Sequence, residues 1–177
     1  MHYFNGFSLR GEERFFSEYL VKSDFCAAGF SFGAQQAFEY VLGHQKRIDR
    51  LILLSPAFFQ TQKKNFLRTQ LHYFQADQAA YISQFLKNVS YPSSVDLTDL
   101  LHVGSKEELE SLLSYRWEKE KVMQLLERGV TIEVFLGEQD RIIDLEAAYA
   151  FFKPLGVTYF IKGAGHLLLE KEPGNNC

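Results

Sequence analysis

Short apolar runs and helical patterns alternate along most of the chain. "DFCAAGF" (24–30), "IDRLILLSPA" (48–57), "VTIEVFLG" (130–137) and "VTYFIKG" (157–163) are apolar runs bounded by turn residues, and each predicts a buried strand. "HYFNGF" (2–7) predicts a very short strand that ends at Asn5-Gly6. In "EERFFSEYL" (12–20), Phe15, Phe16, Tyr19 and Leu20 share one helical face, which predicts a helix. Ala34, Ala37, Phe38, Val41 and Leu42 recur at helical spacing and stop at Gly43. "DLEAAYAFF" (144–152) predicts a further helix with Asp144 as its N-cap. Strands that alternate with helices predict βαβ units, right-handed crossovers and a mainly parallel sheet covered on both faces.

The middle of the chain breaks this rhythm. From Phe58 to Arg128 there are helical patterns and no convincing strand. Leu67, Leu71 and Phe74 share a face, as do Ile82, Phe85, Leu86 and Val89, before "YPSSVD" (91–96) interrupts. "SKEELESLLSYRWEKEKVMQLLERG" (105–129) opens with a capping box, Ser105 and Glu108, and closes on Gly129. The expectation is a single domain over residues 1–177, with a helical insert at about 58–128 lying as a lid over the carboxyl ends of the strands.

Composition narrows the classes. A 177-residue chain that is 46% hydrophobic can bury a sizeable core without disulfides or metal. A net charge of −3 gives no nucleic-acid footprint, and no window nears the ~20 apolar residues of a membrane span. Cys26 lies in an apolar run and reads as a core residue; Cys177 is terminal, and neither has metal-ligand spacing to a partner. The amino terminus lacks a signal-peptide pattern, so a reduced, cytoplasmic protein is expected. Seventeen phenylalanines point to a core or a pocket wall built from aromatic rings.

Candidate chemistry centres on "GFSFG" (29–33), a match to G-x-S-x-G between a predicted strand and a predicted helix. A serine nucleophile needs a base for its proton, and the base needs an acid to hold its ring and tautomer. Asp140 follows the strand ending at Gly137, and His166 lies in a small-residue turn past the last strand. Taken singly, Ser31 fits a turn, Asp140 a cap and His166 a structural histidine. Together they stand at strand ends, which open onto one edge of a parallel sheet, in the order nucleophile, acid, base. Asp144 is a rival acid but fits the N-cap better, and His2, His44, His72 and His102 have no companion motif.

On "FNGF", "GFSFGA", "FLGEQDRIID" and "GAGHLLLEKEP", with a helical insert between, the sequence resembles the α/β-hydrolase family over most of its length. The resemblance implies a reduced α/β-hydrolase fold, a mainly parallel sheet of about five strands and a helical cap. It implies Ser31 as nucleophile, Asp140 as acid and His166 as base, with no metal and no cofactor. It also implies an oxyanion hole from the backbone N–H groups of Phe7 and Phe32. The family's His-Gly before the oxyanion loop is Asn5-Gly6 here, and Gly6 and Phe30 stand too close for the usual intervening strand–helix pair. Within the family the chain looks most like the short pimeloyl-[acyl-carrier protein] methyl ester esterases of biotin synthesis. That implies a carrier-bound substrate. Residues 50–76 carry Lys63, Lys64 and Arg68 among four basic residues and no acidic one; Lys64 and Arg68, four apart, are expected on one helical face, as a docking site for an acidic carrier protein or simply as a solvated face. The alternatives are a generalist short-chain esterase or thioesterase, and a non-catalytic binding protein on a hydrolase scaffold.

Overall fold

The computed structural model describes residues 1–171; Cys177 and the rest of the carboxyl-terminal tail lie outside them. Five strands form one sheet: β1 (His2–Phe4), β2 (Cys26–Phe30), β3 (Arg50–Leu54), β4 (Thr131–Gly137) and β5 (Val157–Ile161). All neighbouring pairs are parallel, in the order β1-β2-β3-β4-β5. Every residue of β2, and every residue of β3 but Arg50, is buried, as continuous apolar runs in a two-sided sheet require. The edge strands β1 and β5 are only partly covered.

Alternation along the strands divides the core in two. Ala27, Leu51, Leu53 and Val134 face a cluster built with Phe38, Val41, Leu125 and Phe152 from helices α1 (Phe32–Gly43), α5 (Lys119–Glu127) and α6 (Leu145–Phe152). Ala28, Phe30, Ile52 and Leu54 face the other way, onto Phe16, Leu97, Leu100 and Leu167. Cys26 is buried in this second cluster, as expected for a core cysteine.

The helical middle contains α2 (Phe66–Ala76), α3 (Gln78–Ser90) and α4 (Lys106–Ser114). Helix α2 packs on both α3 and α4, whereas α5 lies against α1 beside the sheet. Arg128 fixes that contact: its guanidinium donates to the carbonyls of Val41, Leu42 and His44, which end α1 without helical partners.

Three local expectations are corrected. Residues 12–20 hold no α-helix but a 3-10 turn, Glu12–Phe16, because Glu12 turns inward to the loop after β1. The run 105–129 is two helices rather than one. The capping box of Ser105 and Glu108 is present, but the chain breaks after Ser114 so that Trp117 can enter the core. There its indole N–H donates to the Ala57 carbonyl at 2.8 Å and its backbone N–H to Gln60 Oε1 at 2.7 Å. Its ring packs edge-on to Phe152 and tilted on Phe38, a burial that one unbroken helix does not offer. Finally, α2 begins at Phe66, so Lys63 and Lys64 sit in the preceding turn and share no helical face with Arg68.

Trp117→Ala removes a large buried ring that joins α1, α6 and the loop after β3. Chemical denaturation followed by far-UV circular dichroism should register a loss of about 3–5 kcal/mol. A loss below about 1 kcal/mol, the size expected of a surface change, would contradict the packing described.

Candidate active site

The carboxyl ends of all five strands open onto one edge, where the loops after β1, β2, β3, β4 and β5 carry Phe7, Ser31, Ser55, Asp140 and His166 in turn. Backbone strain gathers there. The non-glycine residues with positive φ among the described residues are Ser8, Ser31, Ser55 and Leu168, one in each of four of these loops.

Ser31 takes φ 53° and ψ −110° in a one-residue turn between β2 and α1. Its flanking glycines are dictated by contact. A Cβ on Gly29 would overlap the carbonyl of Gly33, and a Cβ on Gly33 would overlap the carbonyl of Phe4 at the end of β1. The turn therefore needs bare backbone on both sides of the serine. Its own backbone is bonded to the next strand: Ser31 N–H donates to Leu54 O at 2.9 Å, and Ala57 N–H donates to Ser31 O at 3.2 Å. Gln35, one turn into α1, donates to Ala57 O and Leu112 O and so joins the elbow to α4.

His166 and Asp140 form a buried pair, with Nδ1 and Oδ2 2.6 Å apart and neither side chain exposed. The other carboxylate oxygen of Asp140 accepts from the backbone N–H groups of Ile142 and Ile143, at 2.7 and 3.3 Å. Both oxygens are thus held, and the ring nitrogen beside Asp140 is the one that carries a proton. Ser55 Oγ donates to the His166 carbonyl at 2.7 Å, which ties the histidine loop to the strand end that also holds Ser31. The ring of Phe30, next to Ser31, lies 4.9 Å from the His166 ring. His166 Nε2 is buried and has no hydrogen-bond partner among the described residues. Gly137 and Gly165 allow the two loops to touch, since a Cβ on Gly137 would overlap the Gly165 carbonyl.

Asp144, the rival acid, caps α6: its side chain accepts from Ala147 N–H at 3.2 Å and from Thr61 Oγ1 at 2.6 Å. Phe32 opens α1, and Phe7 follows Gly6 in the loop after β1; both are buried and both line a cavity of about 240 Å³. His2 packs tilted against Tyr40 and His44 stacks on it, away from this edge.

Ser31 lines a larger cavity of about 420 Å³, walled by Phe59, Phe66, Phe85, Leu109, Leu112 and Leu113. Helices α2, α3 and α4 supply most of that wall. Gln70, Gln84, Asn88 and Arg141 add polar groups, and the Arg141 guanidinium rests on the Tyr91 ring. Lys63, Lys64 and Arg68 are exposed and form no ion pair among the described residues.

One buried carboxyl group in this region has no signal in the sequence. Glu12 is completely buried; its Oε1 accepts from Gly6 N–H at 2.6 Å and from the Tyr3 hydroxyl at 3.3 Å, and its Oε2 has no partner among the described residues. Burial raises the Glu12 pKa, with the Gly6 amide opposing the shift, and burial beside Glu12 also raises that of Tyr3.

No described helix is long and apolar enough to cross a membrane. No family model and no curated protein matches the chain. Solved structures do. Carboxylesterase CesB from Bacillus subtilis is 18% identical with a TM-score of 0.57, over 89% of this chain and 57% of its own. An esterase from Exiguobacterium antarcticum is 18% identical with a TM-score of 0.60, over 80% and 59% respectively. Est816, described as an N-acyl homoserine lactone degrading enzyme, is 13% identical with a TM-score of 0.67, over 93% and 85%. The chain thus spans less than two thirds of the length of the two esterases. The five-stranded parallel sheet and its likeness to these structures identify a reduced α/β-hydrolase fold.

Proposed function

We propose that the protein is a serine ester hydrolase working through an acyl-enzyme, with Ser31, His166 and Asp140 as its triad. One observation carries this reading: the buried His166–Asp140 pair at 2.6 Å leaves Nε2 without a partner, at the sheet edge where the strained elbow presents Ser31. A buried imidazole nitrogen without a hydrogen bond is costly, and a proton to accept is what it lacks.

The steps follow from those positions. Ser31 Oγ attacks the ester carbonyl carbon as its proton passes to His166 Nε2, and Asp140 stabilises the imidazolium. The carbonyl oxygen gains the electron pair and is stabilised by the amides of Phe7 and Phe32. Collapse breaks the bond to the alkoxy oxygen, which leaves as the alcohol with the proton from His166. A water then attacks the acyl-Ser31 carbonyl, gives a proton to His166, and the acid departs as Ser31 recovers its hydrogen.

For the substrate, we infer the methyl ester of a carrier-bound pimeloyl chain, hydrolysed to methanol and the free carboxylate. Support comes from the sequence resemblance, from the aromatic wall under α2–α4 that suits an extended acyl chain, and from the exposed bases Lys63, Lys64 and Arg68 at the start of that roof. Methylene burial in such a cavity contributes ~0.8 kcal/mol each. A carrier protein held by those bases is steered by charge and is therefore sensitive to salt. A generalist short-chain esterase is the second reading, favoured by a cavity near the small end of ligand sites and by neighbours that are themselves esterases.

Pimeloyl-carrier methyl ester should lose its methyl group to the wild-type protein, with turnover abolished in Ser31→Ala. Ser31-dependent cleavage of simple esters without cleavage of the carrier substrate would select the generalist reading, and turnover retained in Ser31→Ala would remove the triad. For the docking surface, Lys64→Glu combined with Arg68→Glu should reduce kcat/KM on carrier-bound substrate about tenfold more than on a free methyl ester in low salt. Equal losses on both substrates would eliminate that surface.

A further inference from the structure

Phe7, the proposed oxyanion donor in the loop after β1, is clamped on two sides. Its ring packs against Phe74 of α2 and Phe85 of α3, at centroid distances of 6.3 and 5.7 Å. The backbone before it is held by a closed set of short-range bonds. Gly11 N–H donates to Asn5 Oδ1 at 3.1 Å, Leu9 N–H donates to Gly6 O at 3.2 Å, and Gly6 N–H donates to Glu12 Oε1 at 2.6 Å. The Gly6–Phe7 peptide is trans, so its N–H points opposite to its carbonyl. Fixing the Gly6 carbonyl on Leu9 therefore fixes the direction of the Phe7 N–H. The bond from Gly6 N–H to Glu12 fixes the other end of the same residue.

Stability alone does not call for a carboxyl group here. Glu12 is completely buried, and one of its oxygens meets no donor among the described residues. Such a group costs desolvation that a packed apolar side chain avoids. What the carboxyl supplies is a strong acceptor for one backbone amide. Gly6 passes close to the Phe30 ring, where a Cβ would lie 2.6 Å from it, so the residue that Glu12 holds must be bare backbone.

We propose that Glu12 is a positioning residue for the oxyanion hole: by holding Gly6 N–H it anchors the peptide just before the one that carries the Phe7 amide, so that Gly6 is fixed at both ends, and it acts on the transition state without touching substrate. This rests on the reading of the protein as a serine ester hydrolase. Glu12→Gln keeps the shape and an acceptor oxygen but weakens it, and leaves an amide NH₂ where Oε2 has no partner. Glu12→Met keeps the length and removes the acceptor.

The test measures kcat and KM on p-nitrophenyl butyrate, together with the affinity for a trifluoromethyl ketone, which forms an oxyanion on the serine. Folding is checked by circular dichroism. Glu12→Met should lower kcat about ten- to a hundredfold, below the ~10²–10³ loss from deleting a donor outright, with KM within about threefold. Glu12→Gln should lose several-fold less, and ketone affinity should fall in proportion to kcat/KM in both variants. Wild-type kcat and ketone affinity in either folded variant would overturn the proposal, as would a loss expressed in KM alone. If Glu12→Met does not fold, Glu12→Gln decides by the same criteria. A wild-type protein that neither hydrolyses the ester nor binds the ketone fails the parent reading; an active wild type with unaffected variants fails this inference only.

Discussion

Three backbone segments meet at the end of β2 with no room for a side chain between them. Gly29 lies on the Gly33 carbonyl, and Gly33 lies on the carbonyl of Phe4. This close approach makes the turn at Ser31 so tight that the serine adopts a positive φ and its flanking peptides are committed to neighbours. The rest of the site is assembled around that point. β3 accepts the Ser31 amide and, through Ser55, holds the His166 loop; the ends of β4 and β5 touch at Gly137 and Gly165 and bring Asp140 to the histidine. Strain at one position is tolerated because each adjoining loop is bonded to the next.

Polar groups at this edge are few, buried and directional. Asp140 is saturated by two backbone amides and the imidazole, so it orients the ring without freedom to turn. Among the described residues four buried side-chain atoms have no partner: Gln35 Oε1 on α1, Thr158 Oγ1 on β5, His166 Nε2 and Glu12 Oε2. The last two sit in loops flanking Ser31, one in the loop after β5 and one at the end of the loop after β1. Helices α2–α4 add a largely apolar wall to the cavity at Ser31.

Much of this was legible in the residues, for local reasons. The strands announce themselves as apolar runs closed by Gly or Ser-Pro, and Ser31 stands between one such run and a helical repeat. Asp140 and His166 follow strand-ending segments, so a parallel sheet brings them to a shared edge once its topology is granted. Asp144 caps α6 by chemistry written in four consecutive residues. Other features depend on partners distant in sequence. Trp117 sits in a run with unbroken helical periodicity, and only the Ala57 carbonyl and Gln60 explain the break. Glu12 stands in a charged doublet that reads as solvent-facing; its burial depends on reaching the Gly6 amide. Lys64 lies four residues from Arg68, but the helix starts two residues later than Lys64, which periodicity cannot resolve.

A serine hydrolase at this edge requires that Ser31 be activated by its surroundings. The most direct measurement is reaction of the folded protein with a fluorophosphonate, followed by peptide mass spectrometry to locate the adduct. A single adduct on Ser31, absent when the protein is first unfolded in denaturant, is the predicted result. No adduct in folded protein, or modification spread over other serines and tyrosines with Ser31 untouched, would contradict it.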